Sequence, residues 1–203
     1  MRLTATDHTT RPWLIHEIAP DFRLEDVWAL PTPGGPGGFP ALIAVLDHSD
    51  FERDAPPAAR ALWVARWTLG ALLGWDRKRD GLGKRVPSLR DRLPAELQEA
   101  ARTRSAVGRT PFRFLYQRDD EFAAEIANRT MHGVLHLSWV PDDSADGEDG
   151  WRGQMAILVK PNGVLGAVYM AGIKPFRYRI VYPAMLRSWE RQWERHWERS
   201  STV

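Results

Sequence analysis

The chain has 203 residues, 43% of them hydrophobic and 27% charged, which suits one domain with a core of its own. It contains no cysteine, so disulfides, thiolate nucleophiles and cysteine-based zinc sites are excluded. The formal net charge is only +2, but it is unevenly spread: residues 77–113 hold eleven Lys/Arg against four Asp/Glu, while residues 142–149 hold five acids and no base.

Residues 1–12 are polar and lack the apolar core of a signal peptide, so they are expected as a disordered tail ahead of a single domain over 13–199. Residues 13–18 (WLIHEI) read as a strand or a packed arm. Residues 22–30 (FRLEDVWAL) read as a strand, because the breakers PTPGGPGG follow at 31–38 and predict a loop. That loop lacks the GxxxxGKS/T pattern that cradles phosphate and is expected to connect elements or to cover a cavity. Residues 39–46 (FPALIAVL) predict a short helix opened by Pro40, and Pro56-Pro57 start a second at about Ala58. Leu62, Trp63, Arg66, Leu69, Gly70 and Leu73 share one face of that second helix. A buried arginine needs a carboxylate or several carbonyls, so Arg66 either closes a structural ion pair or anchors an anionic ligand group. With Arg60 and Arg66 inside it, the stretch 58–75 is too short and too charged to span a membrane.

Residues 76–93 read as a charged loop and 94–101 (PAELQEAA) as a short polar helix. Four strand-like runs follow, at 112–117, 121–128, 130–140 (TMHGVLHLSWV) and 151–160 (WRGQMAILVK), and their short connections predict an antiparallel meander. Asn162 is a candidate cap for a helix that Pro175 interrupts. A long helix follows, bent near Pro183, with Tyr182, Leu186, Trp189, Trp193 and Trp197 on one stripe and alternating Glu and Arg on the other face.

Strand, helices, antiparallel strands and a long last helix is the order of the helix-grip (START-like, Bet v 1-like) fold. The strings RLEDVWALPTPGGP, RWTLGALLGW, DDEFAAEIANRTMHGVLHLSWVP, WRGQMAILVKPNGVLGAVYM and IVYPAMLRSWERQW resemble the DUF2867 family over residues 13–195. The resemblance implies an α+β helix-grip (SRPBCC) fold: a curved antiparallel sheet wrapped around a long C-terminal helix, with two short helices after the first strand. It implies a cavity but no activity, and it carries no catalytic residues to transfer. Related domains are also joined to dinucleotide-binding reductases, but this chain has no GxGxxG and no parallel βαβ half, so that activity is not implied.

His132 and His136 are the first candidates for chemistry. On a strand they share a face about 13 Å apart, too far for one metal ion, and no metal or other cofactor is expected. If their face is concave they line a pocket as general acid or base; if it is convex they are surface residues. Glu125 is a second acid–base candidate, or a structural partner of Arg66, Arg129 or Arg152. The expected function is binding of a small apolar molecule (lipid-, polyketide- or aromatic-like) between the sheet and the C-terminal helix. Its lining is Trp139, Met155, Ile157, Met170, Tyr182 and Trp189, with Arg66 as anchor. Two alternatives stand beside it. One is a cyclase, hydrolase or isomerase using His132, His136 or Glu125. The other is an interaction protein using residues 77–113, although with Phe112 as the only aromatic there, nucleic acid is disfavoured. A cytoplasmic monomer or homodimer without a membrane span is expected.

Overall fold

The computed structural model describes residues 1–48, 82, 86–104, 106–108, 110–142 and 150–200. The helix expected over 58–75, and Arg66 with it, lie outside these residues. In chain order the described elements are α1 (Thr6–Thr9), α2 (Leu14–Ile18), β1 (Arg23–Gly34), α3 (Phe39–His48), a 3₁₀ turn (Leu89–Arg92) and α4 (Ala95–Thr103). Then come β2 (Arg113–Gln117), β3 (Glu121–Ala127), β4 (Met131–Pro141), β5 (Trp151–Pro161), α5 (Gly163–Phe176), a π-turn (Arg177–Val181) and α6 (Tyr182–Ser200). The chain is α+β: the five strands form one open antiparallel sheet in the order β1-β5-β4-β3-β2, and the C-terminal helix packs on it against β1.

The meander β2–β5 follows the expected spans to within a residue or two, because each run alternates its side chains and each connection is short. β1 departs from expectation. It continues through Pro31, Thr32 and Pro33, residues that read as loop. Two circumstances permit this. β1 is an edge strand, so a missing proline N–H need not break a ladder bond, and a register shift between Ala29 and Pro33 relaxes the pairing with β5.

The glycines that follow serve a packing purpose. A Cβ on Gly38 would lie 2.4 Å from the buried Trp139 ring. Trp139 Nε1 donates to the Gly35 carbonyl at 2.9 Å, and Trp193 Nε1 donates to the Pro33 carbonyl at 3.1 Å. The Gly/Pro run is therefore tied to the sheet and to α6 by two indoles.

Both faces of the sheet are covered. One carries Trp28, Leu30, Phe122, Leu135, Leu137, Trp139 and Met155 against α3 (Phe39, Leu42, Leu46) and α6 (Tyr182, Trp189, Trp193). The other carries Tyr116, Ala123, Val134, Ala156 and Leu158 against Trp13, Leu14, Ile15, Ile18, Leu89 and Leu93.

The first twelve residues, expected as a disordered tail, belong to this second cover. Leu3 N–H donates to the Val27 carbonyl at 2.9 Å, Ala29 N–H donates to the Met1 carbonyl at 2.8 Å, and His8 is fully buried. Their polar composition hid backbone pairing to an exposed strand edge, which depends little on side-chain type. The run at 13–18 is likewise a helical arm, α2, rather than a strand.

α5 runs through Pro175 instead of stopping there. Pro175 and Pro183 lack the N–H that an α-helix needs, and the wider π-turn between them re-registers the hydrogen-bond ladder into α6. Asn162, expected as a cap, makes no side-chain cap; its amide donates to the Asn128 carbonyl at 2.8 Å. Among the described residues no helix is long and apolar enough to cross a membrane.

Candidate functional site

Strand alternation brings Glu121, Glu125, His132 and His136 onto one face, and the register makes them two pairs. Glu121 lies opposite Ser138 and Glu125 opposite Val134, so each glutamate meets the histidine two positions diagonally across. His136 Nε2 sits 3.1 Å from Glu121 Oε2, and His132 Nε2 sits 2.8 Å from Glu125 Oε2.

Both carboxylates also receive the start of a chain turn laid on the sheet. Glu121 accepts from the Leu14 N–H at 3.2 Å, where α2 begins, and from Tyr116 at 3.0 Å and Arg118 at 3.1 Å. Glu125 accepts from the Leu89 N–H at 3.1 Å, where the 3₁₀ turn begins, and from the Ser88 hydroxyl. Glu125 thus pairs with His132, Ser88 and Leu89, and not with Arg129 or Arg152 as the sequence suggested.

The histidine face fits neither of the two environments expected for it. It is turned away from α6, yet His132 is 3% and His136 0% exposed, because the N-terminal segment and the 3₁₀ turn lie over it. Burial pushes the Glu121 and Glu125 carboxyls up, but the hydrogen bonds and histidine partners outweigh it and hold both below the usual carboxylate range. Burial likewise holds His136 below the ordinary imidazole value, against the pull of Glu121. His8 Nε2 lies 3.1 Å from His136 Nδ1, and burial beside His136 and His16 brings its pKa down to about 2.

A second polar group sits on the opposite face. Asp26, placed after a bulge in β1, is 3% exposed. It accepts from the Tyr182 hydroxyl at 2.7 Å, from the Tyr178 hydroxyl and from the Arg177 guanidinium. Arg177 Nε also donates to Tyr182 at 3.1 Å, and Arg2 donates to the Tyr178 hydroxyl at 3.2 Å. Burial and Asp26 push the Tyr178 hydroxyl up to about 12. Sequence reasoning placed Tyr182 on the apolar stripe of the last helix and in the cavity lining but did not assemble this group. Positions 177, 178 and 182 come together through the π-turn, and the two prolines that bracket it were the available signal.

Of the expected cavity lining, Trp139, Met155, Tyr182 and Trp189 lie in one buried cluster with Ile157 packed against it. Met170, on α5, is buried but stands outside that cluster. Trp28 belongs to the same cluster, its ring 4.9 Å from Tyr182, and its buried Nε1 has no hydrogen-bond partner among the described residues.

In the basic stretch, four of the five described arginines, Arg90, Arg92, Arg102 and Arg104, have intramolecular partners. These are the Phe114 carbonyl (2.7 Å), Asp21 (2.7 Å), Glu99 (2.6 Å) and Asp47 (2.8 Å) respectively. Among the described residues no group of three or more His, Asp or Glu is placed to hold a metal ion.

A family model described as "Protein of unknown function (DUF2867)" matches residues 18–184. No curated protein and no solved structure matches the chain.

Proposed function

Because the chain belongs to the DUF2867 family, whose description carries no activity, we propose a function from its own residues: it binds a small, mostly apolar molecule between the sheet and the C-terminal helix, in the manner of a helix-grip domain. The observation that carries this reading is the Asp26–Arg177–Tyr178–Tyr182 group, whose Tyr182 belongs to the same buried cluster as Trp28, Trp139, Trp189 and Trp193. Binding sites for small molecules combine an apolar lining with a few convergent polar groups, and π-turns recur at functional sites. The unpartnered Trp28 Nε1–H beside Tyr182 offers a donor to a carbonyl or hydroxyl of such a ligand. The ligand class is lipid-, polyketide- or aromatic-like.

Native mass spectrometry of freshly purified protein, followed by organic extraction, tests this. A co-purifying apolar molecule is expected, and so is quenching of tryptophan fluorescence by the apolar dye anilinonaphthalene sulfonate. Tyr178→Phe, which removes one polar anchor and leaves the core intact, should weaken that quenching. A clean mass together with fluorescence that the dye leaves unchanged would overturn the reading.

The two Glu–His pairs favour a second reading, acid–base catalysis by His132, His136 or Glu125 on the same scaffold. Each carboxylate also anchors a buried backbone N–H, a docking duty that a structural role explains equally well. The first reading is therefore preferred.

A further inference from the structure

Of the six buried side-chain polar atoms without a hydrogen-bond partner among the described residues, five lie on the face covered by the N-terminal segment. They are His8 Nδ1, Trp13 Nε1, His16 Nε2, Ser138 Oγ and Arg152 Nη1. His8 and Ser138 are 0% exposed and Trp13 6%. The His16 and Trp13 rings both adjoin His8, at 4.9 Å and 6.5 Å between centroids. Ser138 follows His136 on the same face of β4, opposite Gln154, whose amide donates to the Asp7 carbonyl at 3.2 Å. Buried polar groups in folded proteins are normally paired, so a concentration of unpaired ones under one short segment calls for a partner.

The hydrogen-bond partners of Glu121 and His136 fix what His8 offers. Glu121 receives bonds from Leu14 N–H, Tyr116 and Arg118, and is a carboxylate. His136 must therefore donate to it through Nε2–H. Burial keeps His136 neutral, so its Nδ1 is a lone pair and accepts from His8 Nε2–H. His8 is neutral as well, which leaves a lone pair on its Nδ1, buried and aligned by a two-imidazole relay from Glu121. Two neutral donors lie on the same face, the unpartnered Trp13 indole N–H, whose ring centroid is 6.5 Å from that of His8, and the unpartnered Ser138 hydroxyl, two residues along β4 from His136. Arg152 already faces Asp142 at 3.3 Å, so its charge is met. With His16 Nε2 able to donate or accept according to its tautomer, one acceptor and neutral donors complement an uncharged group that both donates and accepts.

We propose that residues 1–19 close over a binding site for a small uncharged molecule bearing a hydroxyl or primary amide. His8 Nδ1 accepts from the ligand, and Trp13 Nε1 and Ser138 Oγ donate to it. Entry requires the segment to lift. Its helices are four and five residues long, too short to be stable alone, so local opening is within reach. This site lies on the opposite face from the proposed apolar one, and either can fail without the other.

The test is side-chain nitrogen NMR of the full chain, titrated with acetamide. The free protein should show His136 and His8 neutral and protonated on Nε2. Acetamide should shift His8 Nδ1 and Trp13 Nε1 while leaving Trp193 Nε1 in place. Ser138→Ala should weaken acetamide binding, and His8→Phe should weaken it about tenfold or more. A proton on His8 Nδ1, or acetamide shifts that are absent or unchanged in Ser138→Ala, would overturn the proposal. The wild-type spectra decide even if His8→Phe does not fold.

Discussion

Glu121 and Glu125 stand four residues apart on β3, and each reaches its histidine by the same diagonal, at 3.1 Å and 2.8 Å. The repeat makes the two carboxylates equivalent devices. Each fixes a buried imidazole and receives the first N–H of a turn that would otherwise lie unpaired on the sheet.

Glu121→Ala should therefore cost more than an ordinary surface change. It strips a partner from His136, from the Leu14 N–H, from Tyr116 and from Arg118. We expect a loss of about 3 kcal/mol in urea unfolding, by analogy with broken buried charged networks. A loss under about 0.5 kcal/mol, the scale of surface substitutions, would show that the cluster does not hold the N-terminal segment down.

The pH dependence has a definite sign. His8 is held at about 2 and His136 below the ordinary value of 6.5, so both stay neutral in the fold while the unfolded chain takes up protons below 6.5. Stability should be full above that value and fall as pH drops through it, by up to about 1.4 kcal/mol per pH unit for each histidine. Glu121 and Glu125, held below their reference value of 4.5, add to the loss below that pH. Thermal unfolding between neutral pH and pH 5 checks the histidine part. A His8→Phe variant that folds should show a shallower decline, and a midpoint flat across that window would sink the assignment.

Gly38→Ala should destabilise by roughly 1–3 kcal/mol, because its new methyl would lie 2.4 Å from the Trp139 ring, which is packed against Trp193 with centroids 5.8 Å apart. Gly37→Ala, where nothing lies within 4 Å of the added carbon, is the matched control and should be close to neutral. Equal effects from the two would remove the packing argument.

Alkaline titration followed by tyrosine absorbance reads the Asp26 group directly. Tyr178 should ionise near 12, and Tyr116 and Tyr182, both pushed up by burial, should not ionise at the ordinary value of 10. Asp26→Asn should return Tyr178 toward 10, since the carboxylate is one of the causes of its shift. A Tyr178 that titrates near 10 in the parent chain would mean that the bond to Asp26 is not kept in solution.

The sequence made the meander and the α6 stripe legible, since Tyr182, Trp189 and Trp193 recur at helical spacing and all three are buried. What it withheld depends on contacts between distant segments. Alternation put His132 and His136 on one face of a strand, but no local pattern says that residues 1–19 return to cover that face. The prolines of β1 carried a true breaker signal that its edge position cancels. Asp26 looked like one more charge in a mixed run, because its partners come together only through the π-turn.

The sheet order has a consequence for how the chain assembles. β2 to β5 meet their neighbours within a short stretch of sequence, whereas Arg23 of β1 pairs with Val159 of β5. On a growing chain β1 leaves the ribosome long before its partner β5 is made. Its apolar run Val27–Leu30 must wait for that partner until the meander has been made. Closing so long a loop is slow, and docking of β1 should be the late, rate-limiting event, with the meander already formed.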